Sequence, residues 1–218
     1  MLDIETVERV PFDSLTETMQ AYLTRRKVGR EKLALEPGLN RIVAVGVHET
    51  GIAMGTGTEV YLAAEVAMLP DDGCRWHTYR EEAALLRALW RRLPMLGTPR
   101  IVTYNGRTFD GPTLTMRSLQ LGIVPAINLG MTYRYSADEH ADLCDVLSNY
   151  GAGSMRSFAY WCDVLDVPNP KASMDGSAVG ERWAAGDYVA VGEYVRDDVL
   201  ALAQLWAKVR PMLKLKAA

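Results

Sequence analysis

Asp3 and Glu5 stand two residues apart in the opening stretch Leu2-Asp3-Ile4-Glu5-Thr6-Val7. On a strand, residues at that spacing project from one face, and two carboxylates held so close repel unless a cation lies between them. Hard divalent ions such as Mg2+ or Mn2+ prefer such oxygen ligands. The same pair could be a solvated acidic patch, but Leu2, Ile4 and Val7 give the segment the residue mix of a buried strand. A third carboxylate, Asp110, ends the run Tyr104-Asn105-Gly106-Arg107-Thr108-Phe109-Asp110, between a strand-like segment and a helix-like one. Open α/β sheets gather ligands at that kind of junction. The plainer alternative is an Asn-Gly turn with Asp110 capping the helix. Capping would not call for Phe109, whereas nucleobase stacking or core packing would. The fourth carboxylate, Asp198, follows Tyr194 by four residues in the C-terminal segment, so the two share a helix face one turn apart. Val191, Leu202 and Leu205 lie on that side, which turns the pair inward. An inward aspartate must be paired or bind a metal; the alternative for Tyr194 is a core tyrosine hydrogen-bonded to Asp198.

The elements that must position these groups read as follows. The chain opens with a strand from Leu2 to Val7. Ser14-Leu15-Thr16-Glu17 has the form of a capping box and starts a helix to about Lys27, with Leu15, Met19, Tyr22 and Leu23 on one face. Arg41–His48 and Val60–Ala67 read as a hairpin around the glycines of Gly51-Ile52-Ala53-Met54-Gly55. A second capping box at Thr78-Tyr79-Arg80-Glu81 starts a helix that Pro94 and Gly97 end. Arg100–Tyr104 is a buried strand and Pro112–Leu121 the helix after it. Ala137–Tyr150, Met155–Leu165 and Ser177–Ala185 read as helices, and Asp187 caps a long one from Tyr188 to Val209. With no linker or repeat, residues 1–218 read as a single α/β domain.

Composition narrows the function little. A net charge of −3 does not mark a nucleic-acid binder, and divalent ions bound to an acid cluster would offset it. The apolar runs are too short and too charged for a membrane helix, and acids sit where a signal peptide needs basic and apolar residues. Cys74, Cys144 and Cys162 lack metal-like spacing and suit a reducing cytoplasm. His48, His77 and His140 lie outside the three motifs.

Taken in order, Asp-x-Glu, Asn-x3-Phe-Asp and Tyr-x3-Asp resemble the DEDD superfamily of 3′–5′ exonucleases, most of all the proofreading domain of family B DNA polymerases. The strings NGRTFDGPTL and YVRDDVLALAQLW carry the likeness further, and it spans the chain from Asp3 to about Leu205. The resemblance implies a ribonuclease H-like fold, a mixed five-stranded sheet flanked by helices. It implies a metal-dependent 3′–5′ exonuclease with two divalent ions, Mg2+ or Mn2+. Asp3, Glu5 and Asp198 would hold one ion, and Asp3 with Asp110 the other. Tyr194 would orient the attacking water. Histidine-type members carry His five residues before the last Asp; Glu193 stands there, so the likeness is to the tyrosine type. The implied partner is a single-stranded 3′ end of DNA, with RNA as the alternative. Asn105, Phe109 and Arg107 are candidate contacts to it, and Arg117, Arg156 and Lys171 further phosphate contacts. A basic run at Arg25-Arg26-Lys27, with Arg30 and Lys32, could follow a backbone or be a solvated helix face. Asp142 is one more acid, placed on a helix. Rival readings are an RNA-directed nuclease of the same fold and a degenerate module that only binds. Only Met1 and Leu2 precede Asp3, where this fold ordinarily has several apolar residues, so the first strand is expected to be weakly anchored unless the chain begins further upstream.

Overall fold

The computed structural model describes residues 1–51, 57–97, 100–129, 133–170, 174–213 and 215. Most of the hairpin turn read at residues 51–57, and Lys171, lie outside them. Four strands form one sheet in the order β1 (Leu2–Glu8), β2 (Asn40–His48), β3 (Thr58–Leu62), β4 (Arg75–Thr78). The first three are antiparallel neighbours and β4 joins β3 in parallel. Two further strands, β5 (Ile101–Thr103) and β6 (His140–Asp142), form a short parallel ladder, with β5 lying against β1. The mixed sheet flanked by helices is therefore present, but its hydrogen bonding divides four and two instead of running through five strands.

Helices cover both faces. Leu2 and Ile4 of β1 join Leu85, Leu86 and Leu89 of α2 (Glu82–Arg92) and Leu114 of α3 (Asp110–Gln120) in one apolar layer. The opposite face packs Val43, Val60 and Leu62 against α6 (Val179–Ala184) and α7 (Tyr188–Val209). Strand alternation thus sends Leu2 and Ile4 to one layer and leaves Asp3 and Glu5, both half-buried, on the side of α7. The contact that sets α7 so near is Gly46 of β2. A β-carbon there would lie 2.7 Å from the carbonyl oxygen of Val195 and 2.9 Å from Val199 Cγ1.

Several expected elements shift. The first strand is not frayed: its ladder begins at Leu2–Val47, the His48 N–H donates to the Met1 carbonyl at 3.0 Å, and Leu2 is buried. Thr16, not Ser14, caps α1 (Glu17–Arg25), its hydroxyl accepting the Met19 N–H, and Met19 and Tyr22 face outward. Thr78 ends β4 in place of capping a helix; the parallel pairing to β3 claims it. Residues Ala137–Tyr150 do not form one helix. They hold β6 and then the short α4 (Leu143–Leu147), because His140, Ala141 and Asp142 pair with β5. The last helix runs from Tyr188 to Val209, although Asp187 makes no side-chain cap and pairs with Arg182 instead. Among the described residues, no helix is long and apolar enough to cross a membrane.

Candidate active site

A cleft of about 660 Å3 opens where β1, the β5–α3 loop and α7 meet. Asp3 and Glu5 enter it from β1, Asp110 from the first residue of α3, and Tyr194 and Asp198 from adjacent turns of α7. One carboxylate oxygen from each of Asp3, Glu5 and Asp198 lies within 4.8 Å of the others. Such closeness of three acids is unfavourable unless positive charge is shared among them.

Asp110 stands outside that triplet but borders it. It is only 3% exposed, and its Oδ1 is buried without a hydrogen-bond partner among the described residues. Burial, with Asp142 and Asp198 as like charges nearby, pushes its carboxyl up to about 7; the backbone N–H groups of Asp110 itself and of Ile4 pull the other way. Asp110 is not the helix cap, a position held by Phe109 with no side-chain bond. A buried carboxylate oxygen without a donor, beside three clustered carboxylates, is an all-oxygen donor set suited to hard divalent cations.

Tyr194 is buried, with its hydroxyl beside Gly176. Burial first, then Asp198, Glu5, Asp3 and Asp175, hold its pKa well above that of an ordinary phenol, so at neutral pH the group is a donor.

The loop that presents Asp110 is held by Asp142. Its Oδ1 accepts the Asn105 N–H at 2.7 Å and the Cys144 N–H at 3.0 Å, and its Oδ2 accepts the Arg107 N–H at 2.9 Å. Burial raises this carboxyl and the three backbone donors oppose the rise. These bonds hold Asn105 in the left-handed region, φ +63°, from where Asn105 and Phe109 line the cleft. The sequence pattern places Asp142 on a helix; its part in the loop follows from the pairing of β6 with β5. Tyr104 and Phe158, the latter opening α5 (Phe158–Val164), also line the cleft with ring centroids 5.1 Å apart, and the sequence motifs do not single them out as contacts.

The arginines behave differently. Arg107 is not part of the cleft lining. Its guanidinium donates to the carbonyls of His140 (2.7 Å) and Ser136 (3.2 Å) and lies 3.6 Å from Asp145. Arg117 is buried in an ion pair with Glu82. Both brace the fold through these contacts, and neither lines the cleft. Arg156 is exposed and lies over the Tyr160 ring. None of the three histidines lines the cleft; burial lowers His140 to about 4, so it is neutral beside Thr103.

Residues 39–214 match the family described as predicted 3′–5′ exonuclease related to the exonuclease domain of PolB. The chain belongs to this family. The matched span of the PolB-related exonucleases takes in Asp110, Tyr194 and Asp198, while Asp3 and Glu5 precede it and are placed by the fold alone. Among solved structures, the family B DNA polymerase of the hyperthermophilic archaeon Pyrobaculum calidifontis matches with a TM-score of 0.62 at 19% identity, over 96% of this chain. The match occupies 24% of that polymerase, so the likeness is one of fold across a fraction of the larger enzyme. Among curated proteins, none matches.

Proposed function

We propose that this PolB-related exonuclease removes nucleotides from the 3′ end of single-stranded DNA by metal-dependent hydrolysis. The observation that carries the reading is the convergence of Asp3, Glu5 and Asp198 within 4.8 Å beside the buried, donorless oxygen of Asp110. Asp3, Glu5 and Asp198 would hold one divalent ion, and Asp3 with Asp110 a second. When bound, such ions supply an activated water, charge relief on the phosphate and help for the leaving oxygen.

The chain's own groups do the rest. Tyr194, kept protonated by burial and then by its carboxylate neighbours, donates a hydrogen bond that orients the attacking water. Asn105 and Phe109 sit at the mouth of the loop, Phe109 offering a ring face or edge to the terminal base. Tyr104 and Phe158 extend the apolar wall. The α3 N-terminus begins at Asp110, so the carboxylate is aimed by a helix and a strand together and not by a mobile side chain.

Oligonucleotides labelled at the 3′ or the 5′ end, incubated with Mg2+ or Mn2+, test this directly. Mononucleotides should leave from the 3′ end, and Asp110→Ala should abolish their release. Calorimetric titration with Mn2+ gives a readout independent of turnover. An absence of both hydrolysis and Mn2+ binding, or an Asp110→Ala variant as active as the parent, defeats the proposal.

A further inference from the structure

Between β1 and β2 the chain leaves the sheet through α1 and returns through the turn Arg30–Leu35, four residues of which line the cleft. Few side chains of this excursion are buried: α1 buries only Leu23 and the 3-10 turn Arg30–Leu35 only Leu33, while the turn is held through the Ala34 carbonyl, which accepts from Thr6 and Asn40. Core packing therefore does not account for most of its side chains. Its segment 25–32 exposes Arg25, Arg26, Lys27, Arg30 and Lys32, five cations against the single acid Glu31, in a chain whose net charge is −3; the rest of the excursion adds Arg9 and the acids Asp13, Glu17 and Glu36. Arg30 is clasped by Asp13 and lines the cleft together with Glu31, Ala34 and Leu35. Arg25, Arg26, Lys27 and Lys32 have no carboxylate within ion-pair distance among the described residues. The contrast is with Arg75, Arg92, Arg117, Arg134 and Arg196, each engaged by an acid.

Two details sharpen the point. Tyr22 is 48% exposed and precedes Arg25 and Arg26 by three and four residues, so one helix face carries an aromatic ring beside two guanidinium groups. Lys27 closes α1 at φ +57°, with the Val28 N–H on the Leu23 carbonyl and the Lys27 N–H on the Thr24 carbonyl. That terminator ordinarily takes glycine, because a β-carbon is disfavoured there. A lysine at this position adds a cation to the patch at the expense of local stability.

We propose that this excursion is an arm that binds the single strand leading into the cleft, with Arg25, Arg26 and Lys27 on successive phosphates and Tyr22 as a base-stacking surface. The inference rests on the exonuclease reading above and adds where the remainder of the strand lies. Single-stranded nucleic acid is the occupant that fits, since it presents regularly spaced negative charge and planar bases to a cation–aromatic face a few residues before Arg30 and Leu35 of the cleft lining.

The test compares the parent with the triple variant Arg25→Gln/Arg26→Gln/Lys27→Gln. Binding of a long labelled oligothymidylate is measured by anisotropy without metal, across a range of salt. Hydrolysis of the p-nitrophenyl ester of thymidine 5′-monophosphate is measured with Mn2+. The variant should bind the long strand about tenfold more weakly, with a salt dependence shallower by roughly 2 for three lost contacts. Ester hydrolysis, which needs only the carboxylate site, should be unchanged. Lys27→Gly separates binding from folding, because it should raise the unfolding temperature while weakening strand binding. Unchanged strand affinity in both variants overturns the arm. So does a loss of strand affinity in Arg156→Gln alone, which would send the strand past Arg156 instead. A parent that binds the strand through the arm yet hydrolyses neither substrate would defeat the exonuclease reading and leave the arm standing.

Discussion

Asp3 faces Gly46 across the β1–β2 ladder, and Gly46 is the point at which α7 rests on the sheet, between Val195 and Val199. The turn of α7 held there is the one that carries Asp198. Absence of a side chain on β2 thus brings an acid of the last helix to an acid of the first strand, although 195 positions of sequence separate them.

Gly46→Ala should accordingly injure site and fold together. Its β-carbon would meet the Val195 carbonyl oxygen at 2.7 Å, so α7 must move outward. Overpacking of this kind costs roughly 1–3 kcal/mol. Thermal unfolding should register that loss, and calorimetry should show weaker Mn2+ binding as Asp198 withdraws from Asp3. Retention of both properties would mean that α7 is not positioned by this contact.

Asp142→Ala should act through the loop. Removing the carboxylate leaves the N–H groups of Asn105, Arg107 and Cys144 without acceptors, at about 1–3 kcal/mol for each that stays buried and unsatisfied. With Asn105 and Phe109 no longer held at the cleft, the KM for an oligonucleotide should rise more than kcat falls. Asp142→Asn, which keeps one acceptor oxygen, should recover part of the loss. Equal activity in Asp142→Ala would refute the positioning role.

Asp110→Asn should remove activity yet stabilise the metal-free protein at alkaline pH. Folding raises this carboxyl from the ordinary 3.8 to about 7, chiefly through burial. Its stabilising share is therefore complete below about pH 4 and is lost as pH rises through 7, because the unfolded chain gives up the proton first. Asparagine has no proton to lose. At pH 8 the variant should exceed the parent by on the order of 2–4 kcal/mol, and the gap should close at pH 4 or on adding Mn2+ to the parent. Denaturant unfolding at the two pH values checks the sign.

Tyr194→Phe should leave Mn2+ affinity nearly intact and lower kcat by roughly 10²-fold, the scale of one positioned donor or acid–base group. The carboxylates of Asp198, Glu5 and Asp3 act on the hydroxyl electrostatically, while the ring serves the α6–α7 layer. Phenylalanine keeps the ring and deletes the hydroxyl. A large fall in unfolding temperature would assign the hydroxyl to structure instead.

Much of this site was legible from spacing. Asp3 and Glu5 share a face because strand side chains alternate, and Tyr194 and Asp198 share one because a helix turns once in 3.6 residues. The long helix Tyr188–Val209 and the α3 segment after Phe109 were likewise readable, since periodicity over many residues is a local property of the chain. Tertiary structure decided what depends on a distant partner. Thr78 and His140–Asp142 became strands when β3 and β5 offered them edges, and Leu2 was anchored by pairing with Val47, next to the Met1–His48 bond. Arg107 and Arg117, whose charge alone fits a phosphate as well as a carboxylate, were drawn inward by backbone carbonyls and by Asp145 and Glu82. Local pattern determines which face a side chain takes; only the packing of remote segments determines what waits on that face, and here it placed three acids together and buried the fourth beside them.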